Sequence, residues 1–365
     1  MLFYNSPFFK KYLLPGFVYQ SVVIAGGYGT GRELIEYFLR YGPLGGLLGI
    51  LLATAMWSII LAATFEFARV FKAYDYRTFF RKLLGKFWVV FEIFYAYALL
   101  LVLAVIGSAA GILLRDSFGI PYLAGVMIML CAIGFHTFMG SAHIEKFLAS
   151  WSMVLYSIYV IILVVSLVKF GPVIYNNFAR LEILPGWRIA GFKYALYNFN
   201  VMPAALFCLR HIETRKEAVC AGLFGGVIAV VPGLLFLIAV ISQYPSVLPE
   251  EIPMVYLLNQ IGSTVLLIVF QIVLLGTLIE TGTSLIHAVN ERIQSAFNEA
   301  GKEFPRRMRP VVAAVLILTG FGISSFGLVN LIAKGYGSSS WGFLFIFVIP
   351  LFTVGIYKII KTNLL

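Results

Sequence analysis

The sequence predicts an all-α membrane protein of about ten transmembrane helices, divided five plus five, with the first and sixth helices broken. Three observations predict it. The chain of 365 residues is 61% hydrophobic and 12% charged, whereas an ordinary soluble domain is roughly 45–50% apolar. Its charges gather between apolar runs of about 18 residues or more, the length that crosses roughly 30 Å of hydrocarbon. Two of those runs, at matching places in the two halves, carry residues that a continuous helix tolerates poorly.

Apolar runs bounded by charge, Pro or Gly place spans near 13–39, 44–68, 87–114, 121–139, 147–168, 189–210, 218–241, 262–289, 311–333 and 341–360. No connection is long enough for a soluble domain. The chain therefore reads as one transmembrane domain, 1–365, with helices one to five in 1–170 and helices six to ten in 188–361. Most of the 27 basic residues, Lys11, Arg69, Lys82, Arg215, Arg292 and Lys358 among them, fall on the N-terminal side of the membrane. Arg40, Arg115, Lys169, Arg180, Arg188, Lys193 and Lys334 fall on the other. This bias puts both termini in the cytoplasm. It also explains the net charge of +11 by topology, without nucleic acid as a partner. Cys131, Cys208 and Cys220 are odd in number and lie in or beside apolar segments, so no disulfide is expected. The start, MLFYNSPFFKKYLLPG, has no small-residue cleavage site and predicts no removable signal peptide.

The first span reads LLPGFVYQSVVIAGGYGTGRELIEYFLR. Each of Gly26, Gly27, Gly29 and Gly31 costs a helix roughly 1 kcal/mol relative to Ala. So closely set, they unwind it near mid-membrane. A break in a span survives where it lines a cavity or is buried in protein. Thr30 followed three residues later by Glu33 has the spacing of a capping box and marks where the helix resumes. The sixth span, WRIAGFKYALYNFNVMPAALFCLRHIE, is interrupted at Asn198, Phe199 and Asn200, with Pro203 suited to the first position of a resumed half-helix. Paired interruptions at corresponding positions point to a binding site at the interface of inverted repeats. Two outer segments follow spans five and seven: Gly171 to Arg188, with Pro172 and Pro185, and Tyr244 to Gly262. In the second, EEIPMVYLLNQ can form a short helix beyond Pro249, either a lid over a cavity or an ordinary loop helix.

Ten helices with broken first and sixth members resemble the LeuT fold of the amino acid, polyamine and organocation (APC) transporter superfamily. More closely, GGYGTGRELIEYFL near the N-terminus and LLGTLIETGTSLIHAVNERI in the eighth span resemble the YkvI-like family of bacterial membrane proteins, over essentially the whole chain. The resemblance implies a LeuT-like 5+5 inverted repeat in the inner membrane, with the function of a secondary transporter.

Unwound backbone offers carbonyls of Ile24, Ala25 and Gly26 to a cation, and N–H groups around Gly29 to Gly31 to an anionic group. An amino-acid-like or carboxylate-bearing solute fits that pattern, bound by residues 26–31 (Gly26, Gly27, Tyr28, Gly29, Thr30, Gly31) and by Asn198, Phe199 and Asn200. Tyr28 and Phe199 either pack or close over the solute. In the eighth span Thr277, Thr281 and Ser284 share one helical stripe, and Glu280, Ser284 and His287 an adjacent one. In LeuT-like carriers that use sodium, hydroxyls here join carbonyls of the first span, which implicates Thr281 and Ser284; each hydroxyl can instead bond its own helix. A mid-membrane carboxyl costs about 2.5–3.5 kcal/mol on insertion scales, so Glu280 marks a pathway and is the candidate for coupling to sodium or a proton. Arg32, Glu33, Glu36, Glu66 and His287 are gate or structural candidates. His136 and His143 are too sparse for a metal site.

The expected activity is symport by alternating access coupled to sodium or to a proton, with no cofactor beyond a sodium ion where sodium is the coupling ion. The alternative is a membrane sensor that binds a solute without moving it. No HExxH motif, nucleotide-binding motif or paired catalytic aspartates occur, so no enzyme is expected.

Overall fold

The computed structural model describes residues 6–24, 26–138, 141–299, 301, 305 and 308–363, and every regular element among them is helical. Helices α1 (Leu14–Val23) and α2 (Arg32–Tyr37) are the two parts of the interrupted first segment. They are followed by α3 (Pro43–Phe71), α4 (Tyr76–Leu84), α5 (Trp88–Phe118), α6 (Tyr122–Phe138) and α7 (Ser141–Ala179). Next, α8 (Trp187–Tyr197) passes into a 3-10 run, Asn198–His211. The chain closes with α9 (Arg215–Ile241), α10 (Pro253–Ile261), α11 (Thr264–Glu299), α12 (Met308–Ser324) and α13 (Leu328–Thr362). Six stretches among the described residues are long and apolar enough to cross a bilayer: Pro43–Phe71, Tyr76–Phe118, Tyr156–Ala179, Arg215–Ile241, Thr264–Gln294 and Leu328–Thr362.

The centre is built from the first segment, α8 and the 3-10 run, clamped by α3 and α9. Gly222 and Gly226 lie one turn apart on α9, where any side chain would strike the backbone of Leu61, Ala62 and Ser58 on α3. Small residues let the two helices meet backbone to backbone, and Ser58 Oγ donates to the Leu223 carbonyl at 3.0 Å. Trp57, Tyr19, Tyr194 and Phe199 fill the space between α3, α1 and α8 with fully buried rings. Trp57 also donates its Nε1–H to the Ala195 carbonyl at 3.0 Å, fixing the end of α8.

Two predicted connections are corrected. The outer segment expected from Gly171 is helical as far as Ala179, with Pro172 inside α7. Proline removes a single backbone donor, and the last turns are held from outside, Asn177 donating to the Ile241 carbonyl at 2.9 Å. The segments expected to hold the ninth and tenth spans form the helices Met308–Ser324 and Leu328–Thr362, with bounds other than 311–333 and 341–360. The chain turns at Gly327, whose φ is 78°, whereas the loop-like GYGSSS lies inside α13. Its small residues are helical because they pack tightly on α8, where Ser340 Oγ donates to the Lys193 carbonyl at 2.9 Å.

Charged ends meet in two layers. In one, Lys11 pairs with Glu213 and Glu217, both at 2.9 Å, Arg69 with Glu66 at 2.8 Å, and Arg292 with Glu92 at 2.6 Å. In the other, Glu36 joins Arg32 and Arg40, and Arg115 meets Glu251 at 2.8 Å.

Candidate functional site

The first segment leaves helical geometry at Ile24, with φ −76° and ψ 82°. The coupling candidate Ala25 lies outside the described residues. Gly26–Gly29 form a single turn, and Gly31, at φ 83°, precedes α2. Left-handed backbone makes Gly31 a conformational glycine; the others are glycine for space. A Cβ on Gly26 would lie 3.2 Å from the Ile106 Cα of α5, and one on Gly29 2.9 Å from Leu274 of α11.

The capping box expected at Thr30 and Glu33 is absent. Gly31 occupies the N-cap position of α2 with no side-chain cap. Thr30 Oγ1 instead donates to the Gly27 carbonyl at 2.9 Å and accepts from the Arg32 N–H at 3.3 Å. The turn at Gly31 sends Glu33 inward across Gly27. There its carboxylate accepts the Tyr197 hydroxyl and the Tyr28 backbone N–H. A true capping box opens α9, at Thr214 and Glu217. One consequence concerns the donors expected to hold a solute carboxylate. Tyr28 N–H serves Glu33, Thr30 N–H the Gly26 carbonyl at 3.2 Å, Gly31 N–H the Tyr28 carbonyl at 2.9 Å, and Arg32 N–H serves Thr30. The break largely satisfies itself.

The second interruption is a change of pitch rather than a gap. Pro203 sits within the 3-10 run, not at the start of a resumed α-helix. Tyr197, Asn198, Asn200 and Val201 face a cavity of about 50 Å³, together with Val22, Val23, Glu33, Tyr95, Leu99, Val102, Thr281, Leu285 and Tyr336. That volume holds a few waters or a small polar group. Glu33, 2% exposed, is the one charged side chain among these lining residues. Tyr197 stacks on Tyr336 with ring centroids 4.7 Å apart, and Asn200 Oδ1 is buried without a hydrogen-bond partner. Asn198 is held by its neighbours, donating to the Tyr194 carbonyl at 2.9 Å and accepting at its own carbonyl from Tyr19 at 3.2 Å.

Not every predicted residue reaches the cavity. Phe199 turns away to stack on Tyr19 and meet Phe347. Tyr28 points at Gly233 of α9, and its buried hydroxyl has no partner. Gly26 to Gly31 shape the site without lining it. On α11, Thr281 lines the cavity, whereas Ser284 and Thr277 bond the Glu280 and Val273 carbonyls of their own helix, both at 2.9 Å. Glu280 and His287 are partly buried. Glu280 lies near Tyr156 of α7, which donates to Gln20 at 2.7 Å; Gln20 in turn donates to the Ile228 carbonyl of α9 at 2.6 Å. Sequence reading missed Tyr95, Tyr336 and Gln20, since nothing in their local sequence separates them from packing residues.

Polar contacts close the site on both sides. Arg32 donates to the carbonyls of Leu248 and Glu250 at 2.8 and 2.9 Å and to Glu36 at 3.1 Å. Met254 N–H, in the first turn of α10, donates to the Thr30 carbonyl at 3.3 Å, so this short helix rests on the break. On the opposite side Lys11 bridges Glu213 and Glu217. Glu66 holds Arg69, which also reaches the Glu213 carbonyl at 3.2 Å. Glu217, then Glu213, raises the Lys11 ammonium above its ordinary value. The part of the cluster's stabilisation that comes from the raised Lys11 ammonium is thus complete below the ordinary lysine pKa and is lost as pH rises beyond it.

These features define a class of protein. The fold matches a Na+-coupled sialic acid symporter in a substrate-bound outward-open state, with a TM-score of 0.61 and 14% identity over 93% of this chain and 79% of that one. It matches MhsT in complex with L-phenylalanine (0.57, 17%, 96% and 97%). It also matches the manganese transporter of Eremococcus coleocola (0.56, 16%, 96% and 79%). The chain is a multi-pass membrane protein with the LeuT fold of transporters. In sequence it is similar to the uncharacterized membrane protein YkvI of Bacillus subtilis, 24% identical over 336 residues, which are 88% of this chain and 89% of that one. No protein-family model matches it.

Proposed function

We propose that the chain is a secondary active transporter that carries a small solute across a bacterial cell membrane by alternating access. One observation carries this reading: two backbone interruptions, far apart in sequence, flank one small cavity where Glu33, Asn198, Asn200 and Thr281 sit among aliphatic side chains, and they are joined there by the Tyr197–Glu33 hydrogen bond. Irregular backbone at membrane depth is tolerated where it is buried in protein or lines a cavity, and this break is buried beside one. Two of the structural neighbours are a symporter and a manganese transporter by their own descriptions, and the third is described in complex with L-phenylalanine, which supports the same class of activity.

In this reading the chain makes ten crossings. Residues 1–170 and 188–361 are inverted repeats, and both termini are cytoplasmic. The Arg32 cluster is then the outer gate and the Lys11 cluster the inner one. Sodium or a proton couples at Glu280, with Thr281 and Ser284 on the same helix and the Ile24 carbonyl of the first segment as further ligands. Support comes from the relay Tyr156–Gln20–Ile228, which ties α7, α1 and α9 together beside Glu280. Changing the charge there changes the field on a junction between both halves.

The test is uptake by proteoliposomes under imposed sodium or proton gradients, using solutes first identified by thermal stabilisation of the purified protein. Accumulation should follow one gradient, and Glu280→Gln should abolish that dependence. Unchanged coupling in the variant would remove Glu280 from the mechanism; saturable binding without accumulation would mean a sensor.

A further inference from the structure

Resting on the reading of this cavity as the solute site, we infer that its solute is a small organic ammonium carrying no carboxylate, held by Glu33 and Asn200. Three observations converge. The cavity has one charged side chain, the Glu33 carboxylate, and no lysine, arginine or histidine among its lining residues to balance it or to meet an anionic solute. Backbone donors of the break, the other means of holding a carboxylate, are largely consumed within the protein. Glu33 itself occupies the place a solute carboxylate would take, accepting from Tyr28 and Tyr197.

The remaining polar groups ask for a donor. A carboxylate offers about four acceptor positions, and two donors engage Glu33. Asn200 is 8% exposed, and its Oδ1 is an acceptor with no partner. An ammonium supplies several N–H donors and the compensating charge, and a buried charge is tolerated when so paired. Tyr95, Tyr197 and Tyr336 surround the same space. At about 50 Å³ the cavity fits the head group of a short amine and excludes a bulky one in this conformation.

The experiment measures thermal stabilisation of the detergent-purified protein by n-propylamine, propionate, β-alanine and sodium chloride, each titrated to saturation at constant ionic strength. Propylamine should raise the melting temperature saturably, and propionate should not. Glu33→Gln keeps an oxygen acceptor for Tyr28 and Tyr197 but removes the charge, and should weaken amine binding by roughly tenfold or more. Asn200→Ala leaves Glu33 untouched and should weaken it several-fold, which covers the case of a Glu33 variant that fails to fold. Stabilisation by propionate or β-alanine that is lost in Asn200→Ala would overturn the ammonium assignment while leaving the carrier reading intact. Sodium alone giving the Glu33-dependent shift would overturn it by making this the ion site, and so would no response to any probe. Amine binding without transport of labelled propylamine into proteoliposomes would uphold the assignment and sink the carrier reading.

Discussion

Glu33 is the residue whose position most changes the chemistry of the site. A carboxylate next to a glycine-rich break suggests a cap, yet it lies across Gly27 with Tyr28 and Tyr197 as donors. Removing one donor from a buried acceptor costs about 1–3 kcal/mol. Tyr197→Phe should therefore lower the melting temperature by several degrees and weaken solute binding, as measured by thermal unfolding with and without ligand. An unchanged melting temperature would mean that Glu33 does not depend on Tyr197. Gly27→Ala should be worse than either glycine-to-alanine neighbour on space grounds alone, because its methyl would overlap the Glu33 carboxylate. Binding lost with the fold retained is the expected signature.

At the scale of elements, the contacts of α10 and the helix cap of α9 call for different measurements. Arg32 holds two carbonyls of the segment before α10 while Met254 N–H bonds the break. Met254 is 1% exposed, so a cysteine placed there reports on opening. We predict that Arg32→Ala speeds labelling of Met254→Cys by a membrane-impermeant maleimide; equal rates with and without Arg32 would show that the guanidinium is no latch. The capping box at Thr214 and Glu217 works locally. Thr214→Ala should cost about 1 kcal/mol of stability, seen in thermal unfolding, and leave solute affinity alone.

For the whole molecule, the two charged layers bound an apolar girth, and the proposed topology puts Lys11 and Lys358 on the cytoplasmic side. Reporter fusions at residue 363 and within the segment around Pro249 should give opposite sidedness, cytoplasmic and external respectively. The same side for both would refute the ten-crossing topology. In the proposed carrier, opening inward separates Lys11 from Glu213 and Glu217, a partly exposed cluster whose strength depends on salt. Higher ionic strength should therefore favour the inward-open state, measurable as faster labelling of a cysteine on the inner half of α1.

Much of this protein was legible in its sequence because hydropathy and helix breaking are local. Apolar run length located the long helices, and the glycines at 26–31 and the Asn198 to Pro203 stretch located both interruptions within a few residues. The short helix beyond Pro249 was visible from its proline and apolar pattern. What only the tertiary structure decided were directions and partners. The left-handed turn at Gly31 aimed Glu33 at Tyr197, 164 residues away, and close packing on α8 turned GYGSSS from loop composition into helix. Tyr95 and Tyr336 became cavity walls because α5 and α13 converge on the break. A helix's existence follows from its own residues, but the chemistry of a cavity follows from side chains that distant segments bring together.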